Sequence, residues 1–295
     1  MTRERPGSGR PAALTLRAPA KVNLFLEVTA RRPDGYHELR TLLVAVSLFD
    51  ALTFAPARGA IRLSCTDPNL GTGPENLIVR AAELLQRHTG TTAGAVIGLT
   101  KRIPIAAGLG GGSSDAATTL IGLNRVWKLG LGRDELIGLA AMLGSDVAFF
   151  LRPPAAWCTG RGEDVTPWPV GRRLHLVLAC PPFGLSTAEV YRGVAVPARP
   201  VSGAAMKKAV QAGDAAAIGR LLHNRLQKPA MALRPELTDW LGWLAAQRPL
   251  GQLVSGSGST VFALARDAAD ARRIAAAVRP EMTAADGRVL VARTL

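Results

Sequence analysis

The stretch from Pro104 to Asn124 reads PIAAGLGGGSSDAATTLIGLN and is the most unusual in the chain. Gly108, Gly110, Gly111 and Gly112 lead directly into Ser113, Ser114 and a helical pattern. Ala116, Ala117, Leu120 and Leu123 mark one face of that helix. Backbone N–H groups at a helix start lack intrahelical partners, and the helix dipole adds roughly half a positive charge there. Glycine lets the main chain approach an anion without a Cβ in the way. The chemistry this suggests is phosphate binding, with two hydroxyls in support. The plainer alternative is a flexible loop followed by a serine cap. Two common nucleotide patterns fail. A Walker loop needs Gly-Lys-Ser/Thr, and the chain contains no Gly-Lys pair. The dinucleotide pattern GxGxxG has Ser113 as its sixth residue when started at Gly108, and Asp115 when started at Gly110.

The balance of charge agrees with an anionic partner. Lys plus Arg number 36 against 22 Asp plus Glu, a formal net charge of +14. This admits nucleic acid, a membrane surface or a phosphorylated small molecule. The arginines are dispersed, with short pairs such as Arg31-Arg32, Arg172-Arg173 and Arg272-Arg273, and no basic run is interleaved with aromatics. Only six basic residues are lysine: Lys21, Lys101, Lys128, Lys207, Lys208 and Lys228. A chain that uses arginine by default singles out the places where it keeps an ammonium. Cys65, Cys158 and Cys180 form neither a disulfide framework nor a zinc spacing. The longest apolar runs, Leu42–Phe49 and Leu174–Cys180, are strand-sized and fall short of the ~18 residues of a membrane span. The first ten residues carry Arg3, Arg5 and Arg10 without a following apolar segment, which reads as a frayed tail rather than a secretion signal. The expectation is a cytoplasmic protein.

The elements that must position these residues read as α+β. Strands are expected at Leu14–Arg17, Val22–Val28, Thr41–Leu48, Ile61–Cys65 and Ala95–Thr100, with a turn at Arg31–Gly35. Helices are expected over Asn76–His88, after the glycine loop, and over Arg133–Leu143. Gly144-Ser145-Asp146 interrupts before the apolar stretch Val147–Leu151. Pro167, Pro169 and Gly171 mark a domain boundary. Beyond it come a strand at Leu174–Ala179, helical patterns from Ser186, Gly203, Asp214 and Pro235, and SGSGS between strand-like flanks over Leu253–Ala263. A helix over Asp267–Val278 and a strand over Val289–Arg293 close the chain.

Three motifs stand in a fixed order: APAKVNLFL at Ala18–Leu26, the loop Pro104–Ala117, and SGSGSTVF at Ser255–Phe262. Between them lie PDGYHEL (Pro33–Leu39), ENLIVRA (Glu75–Ala81), GSDVAFFL (Gly144–Leu151), TGRGE (Thr159–Glu163) and His223-Asn224. On these residues the chain resembles the GHMP small-molecule kinases, named for galactose, homoserine, mevalonate and phosphomevalonate. It is most similar to the branch that acts on a cytidine-diphosphate-linked methylerythritol in the non-mevalonate isoprenoid precursor pathway. The resemblance implies a two-domain GHMP kinase fold: a flexible tail at 1–13, a ribosomal-protein-S5-domain-2-like α+β domain over 14–168, and a ferredoxin-like α+β domain over 169–295. The active site would lie in the cleft between them. The implied reaction is ATP-dependent phosphorylation of the substrate's 2-hydroxyl, giving the 2-phosphate and ADP.

Roles follow from the same resemblance. Asp146 aligns with the catalytic aspartate and Lys21 with the catalytic lysine; read without it, Asp146 is a helix cap and Lys21 a strand-edge charge. Pro104, Ile105, Ala106, Ala107, Gly108, Leu109, Gly110, Gly111, Gly112, Ser113 and Ser114 would wrap the ATP phosphates, and Asn76, Leu77 and Lys101 would flank the adenine. Tyr36, His37 and Tyr191 resemble a cytidine site in which aromatic faces sandwich the base; core packing is the alternative for each. Asn23 and Thr187 would contact substrate. Mg²⁺ is expected with the nucleotide, on phosphate oxygens and water with the Ser114 hydroxyl in reach, and no protein metal-ligand set is expected. The expected partners are the cytidine diphosphate substrate and ATP, without nucleic acid or membrane, in a monomer or weak homodimer. A GHMP kinase for homoserine, mevalonate or a sugar is the nearest alternative, and a basic nucleic-acid-binding protein is the alternative of another class. The chain departs from the branch's commonest wording at Ala106-Ala107, where glycine is frequent, and at Arg225, where an acid is common. Ser257 and Ser259 stand in a segment that often reads Gly-Thr-Gly-Ala.

Overall fold

The computed structural model describes residues 13–152 and 154–295, so the tail expected at 1–13 lies, apart from Ala13, outside the described residues. Two sheets lie back to back with helices on their outer faces. The first sheet is built on two long antiparallel strands, β1 (Leu14–Arg31) and β2 (His37–Arg58). The second half of β2 pairs with β4 (Ala93–Thr100), which pairs in parallel with β3 (Ile61–Cys65). The first half of β2 pairs with β5 (Ala155–Thr159), and β5 with β6 (Asp164–Pro167). The second sheet is antiparallel throughout, in the order β11 (Arg288–Arg293), β7 (His175–Cys180), β10 (Val261–Ala265), β9 (Gly251–Val254). A two-residue strand β8, His223–Asn224, crosses over to pair with β1 of the first sheet.

Three apolar clusters set the layering. Leu52, Phe54, Ile97 and Leu99 on one face of the first sheet pack against α1 (Leu77–Thr89), α2 (Gly111–Val126) and α3 (Arg133–Leu143). The opposite face, with Val22, Leu24, Leu42 and Val44, meets Leu176, Leu178, Phe262 and Leu264 of the second sheet. Helices α5 (Ala204–Ala212) and α6 (Ala215–Leu221) close this middle layer through Met206, Val210 and Ile218. Val177, Ala179, Val261 and Ala263, on the outer face of the second sheet, are covered by α8 (Leu237–Ala246) and α9 (Ala268–Ala284). Two shorter helices, α4 (Thr187–Arg192) and α7 (Gln227–Leu233), flank the same cluster.

Several elements differ from the sequence reading. Leu14–Arg17 and Val22–Val28 are parts of one strand, because its register shifts at Pro19/Ala20, Asn23/Phe25 and Val28/Ala30 break the alternation that a pattern search follows. α9 continues past Pro280 to Ala284: burial of Val278 and Met282 holds both sides of the proline in place. β6 runs into the segment expected to be a boundary. β5, β8 and α7 were not expected at all; each is short and held by tertiary contacts rather than by its own periodicity. Among the described residues no helix is long and apolar enough to cross a membrane.

Candidate active site

The glycine loop is clamped on three sides by main-chain bonds. Lys21 N–H donates to Leu109 O (2.9 Å), Thr260 N–H to Ala107 O (3.1 Å) and Leu185 N–H to Ala106 O (3.1 Å), while the Ser255 hydroxyl donates to Gly108 O (3.0 Å). Helix α2 starts at Gly111, after Gly110 in the left-handed region at φ 68°. Its first intrahelical bond runs from Ser114 N–H to Gly110 O (2.9 Å). The N–H groups of Gly111, Gly112 and Ser113 therefore have no acceptor within the helix and are free for an anion. Glycine at 110 is needed for proximity as well as for φ: a Cβ there would stand 2.9 Å from Lys21 Cγ and 3.1 Å from Phe150.

Lys21 comes from β1, beside the bulge at Asn23/Phe25. It is buried, donates to Asn23 Oδ1 (2.7 Å) and faces Asp146 Oδ2 at 3.7 Å. Asn23 is held in turn: its Nδ2 donates to Thr41 Oγ1 (2.9 Å), whose hydroxyl donates to Phe25 O (2.7 Å). Burial pushes the Lys21 ammonium below its usual range, and the charge of Asp146 pushes back. Asp146 lies between α3 and the short 3-10 turn Ala148–Leu151, with its side chain 37% exposed to the cleft. Gly256 of the SGSGS segment completes the pocket around the lysine, since a Cβ there would lie 3.0 Å from Lys21 Nζ.

These groups share the wall of one cleft of about 1380 Å³. That exceeds the ~300–1,000 Å³ typical of a single small ligand and leaves room for two. Of the residues expected at the site, Lys21, Asn23, Tyr36, His37, Asn76, Leu77, Lys101, Asp146, Thr187, Tyr191 and all of Pro104–Ser113 line it. Ser114 does not. It lies one turn into α2, fully buried, and its hydroxyl has no hydrogen-bond partner. Its expected place at Mg²⁺ is not matched by this geometry.

Lys101 lines the cleft, and its ammonium is buried in ion pairs with Asp50 and with Asp115 (3.0 Å). Asp50 additionally accepts from the N–H groups of Arg102 (2.5 Å) and Ile103 (2.9 Å). Two carboxylates around one ammonium leave an excess negative charge, and burial, opposed by Lys101, pushes the Asp115 carboxyl up to about 7. The cluster ties the second half of β2 to the N-terminal part of α2. Asn76 has a second task, capping α1 by accepting from Ile78 N–H (2.9 Å).

At the other end of the cleft, His37 stacks on Tyr191 with ring centroids 5.4 Å apart and an interplanar angle of 28°. Tyr36 is 56% exposed on the rim. The Thr187 hydroxyl, at the start of α4, lies 3.0 Å from that of Ser257. Burial lowers the His37 pKa and raises that of the Tyr191 phenol.

Three features escaped the sequence reading of roles. Asn224 donates to Val254 O (2.8 Å) and Gly256 O (2.7 Å), fixing the SGSGS loop; the His-Asn pair was visible but carried no role. Arg225 pairs with buried Glu27 through Nε (2.6 Å) and Nη2 (2.8 Å), with His223 at 3.1 Å, so the unusual arginine answers an acid on β1. Arg161 lines the cleft over Tyr36. For a divalent cation, the described residues contain no cluster of three or more His, Cys, Asp or Glu side chains. The Asp146 carboxylate and the Ser113 hydroxyl on the wall fit an ion carried chiefly by nucleotide phosphates and water.

The chain matches the family models for the GHMP kinases N terminal domain over residues 76–152 and GHMP kinases C terminal over 206–284. It is 44% identical to the 4-diphosphocytidyl-2-C-methyl-D-erythritol kinase of Pelotomaculum thermopropionicum over 95% of this chain and 98% of that one. It superposes on a crystal structure of 4-(cytidine 5'-diphospho)-2C-methyl-D-erythritol kinase with a TM-score of 0.81 at 38% identity, covering 95% of this chain and 98% of that chain. Homoserine kinase from Cytophaga hutchinsonii, at a TM-score of 0.77 and 18% identity over 100% and 97% of the two chains, shares the fold alone. With its glycine loop, lysine and aspartate on one cleft between two sheets, the chain has the two-domain GHMP kinase fold and belongs to the 4-diphosphocytidyl-2-C-methyl-D-erythritol kinase family.

Proposed function

We propose that this kinase transfers the γ-phosphoryl group of ATP to the 2-hydroxyl of 4-diphosphocytidyl-2-C-methyl-D-erythritol. The observation that carries the reading is the Lys21–Asp146 pair, 3.7 Å apart, on the wall of the same cleft as the free helix-start N–H groups and the aromatic residues. Phosphoryl transfer asks mainly for alignment and charge neutralisation. The N–H groups of Gly111, Gly112 and Ser113 hold the ATP phosphates. Asp146 orients the attacking hydroxyl and accepts its proton. Lys21, beside that carboxylate, balances charge on the transferring group. Asn23 positions substrate between the two ends. Tyr36, His37 and Tyr191 receive the cytosine, with Thr187 beside them. Asn76, Leu77 and the stem of Lys101 border the adenine. Mg²⁺ bound with the nucleotide would supply neutralisation of the phosphate oxygens, with Asp146 and Ser113 the nearest protein groups.

The two sheets support lobes over 14–168 and 169–295, with β8 crossing from the second to the first. The dispersed arginines support a cytoplasmic enzyme of small molecules, a monomer or weak homodimer, over a nucleic-acid or membrane binder. ADP release from ATP should depend on the cytidine-bearing substrate. Turnover of homoserine or mevalonate with none of that substrate would overturn the assignment. Asp146→Ala and Lys21→Ala should each lower kcat by about 10²-fold or more with unchanged circular dichroism; near-normal turnover in either refutes its role.

A further inference from the structure

We infer that Arg161 is the residue that grips the diphosphate of the cytidine substrate. The inference rests on the proposed function and adds a binding residue to it. The TGRGE segment forms the turn between β5 and β6. That turn is anchored to β2 by Leu39 N–H donating to Gly160 O (2.7 Å), two residues from His37. It is closed by Gly162 N–H donating to Thr159 O (3.0 Å). Glu163 then sets the arginine: its Oε2 accepts from Arg161 N–H (2.6 Å) and its Oε1 from Nε (3.2 Å). Gly160 makes room for this, because a Cβ there would stand 2.9 Å from Glu163 Oε2.

The turn and the arginine it carries border both ends of the interval that matters. At its root, Gly162 adjoins the acid: a Cβ on Gly162 would be 3.8 Å from Asp146 Oδ1. At its tip, the guanidinium carbon lies 4.9 Å from the Tyr36 ring centroid. A substrate with its base at the aromatic end and its reacting hydroxyl at Asp146 must place its diphosphate between these two points. Glu163 occupies only Nε, and neither Nη donates to a protein acceptor among the described residues. The nearby acid Asp34 is engaged elsewhere, by Arg32 Nε (3.2 Å) and the Tyr36 N–H (3.1 Å). Lys21 is committed to Asn23 and Asp146, and of the arginines that line the cleft with Arg161, Arg192 faces Glu189 (3.6 Å) and Arg31 stands beside His37. A planar guanidinium with two free donors, oriented in advance, suits bidentate recognition of phosphate oxygens.

The test is calorimetric titration of the full chain with CDP and with cytidine, the ATP end being filled with AMPPNP, for wild type, Arg161→Gln and Arg161→Lys. Wild type should bind CDP at least tenfold more tightly than cytidine. Arg161→Gln should lose at least tenfold in CDP affinity with cytidine affinity within twofold, and Arg161→Lys should recover part of the loss. In turnover, KM for the cytidine substrate should rise about tenfold in Arg161→Gln while KM for ATP stays within twofold. A CDP affinity within threefold of wild type in Arg161→Gln overturns the inference. So does an equal fall for cytidine, which would make Arg161 only a support for Tyr36; should Arg161→Gln fold poorly, equal losses in Arg161→Lys decide the same point. If wild type turns over no methylerythritol substrate, the kinase reading fails separately, and the CDP–cytidine comparison still judges Arg161.

Discussion

Replacing Gly108 by alanine tests whether the glycine loop works through its contact with the SGSGS segment. Gly108 sits at φ 73°, and a methyl there would overlap the Ser255 carbonyl oxygen and stand 2.9 Å from that of Gly258. The left-handed backbone alone costs an alanine about 1–2 kcal/mol. Neither carbonyl can rotate away cheaply: Ser255 O accepts from Gly258 N–H (2.9 Å), and the segment is pinned by Asn224. Relief therefore requires the two loops to part by about 1 Å. Because the same loops enclose Lys21 and present the phosphate-binding N–H groups, a shift of that size should cost about 100-fold in kcat/KM. That corresponds to about 2.7 kcal/mol of transition-state stabilisation. Coupled ADP-release kinetics and a thermal melt read both effects, with a Tm drop of about 3–8 °C. Gly242→Ala is the control. Its position in α8 is exposed with nothing within 4 Å of the new methyl, so Tm should rise slightly with unchanged kinetics. If Gly108→Ala keeps kcat/KM and Tm within error of wild type, the loop-to-loop contact does not position the site.

Tyr191→Ala should raise KM for the cytidine substrate by about tenfold, within the ~1–3 kcal/mol of a stacked base, with KM for ATP unchanged in the same assay. Glu27 is buried, and although burial opposes it, Arg225, the N–H groups of Val201 and Val28, and His223 bring its carboxyl down to about 2. A depressed carboxyl stabilises above its ordinary value of about 4.5 and loses that contribution as pH falls toward about 2. Arg225→Ala, which leaves the buried carboxylate uncompensated, should cost about 3 kcal/mol at pH 7 in urea titration, a penalty that shrinks as the medium is acidified. Asp115 has the opposite sign: its raised carboxyl holds a proton in the folded state, so its contribution worsens as pH rises through about 7. The Tm of Asp115→Asn relative to wild type should therefore improve from pH 5 to pH 8, and a constant difference would argue against the raised Asp115 carboxyl.

What the sequence determined by itself was local. The glycine loop, its helix and the caps at Asn76, Ser186 and Asp214 are written within a few residues each, because unpaired N–H groups and helix periodicity are short-range demands. The motif order carried the family and, with it, a set of expected site residues that all line the cleft except Ser114. Tertiary structure decided the rest, through contacts between residues far apart in the chain. It continued β1 through three register shifts that disguise a strand, and it gave the lone Arg225 its partner Glu27 across 198 positions. It paired the Lys101 ammonium with Asp50 and Asp115 in a buried ion cluster, and it buried Ser114 while leaving Ser113 on the wall. It also set Arg161 between Asp146 and Tyr36. No spacing rule reaches such pairs, because burial and charge compensation are settled only when segments distant in the chain pack together.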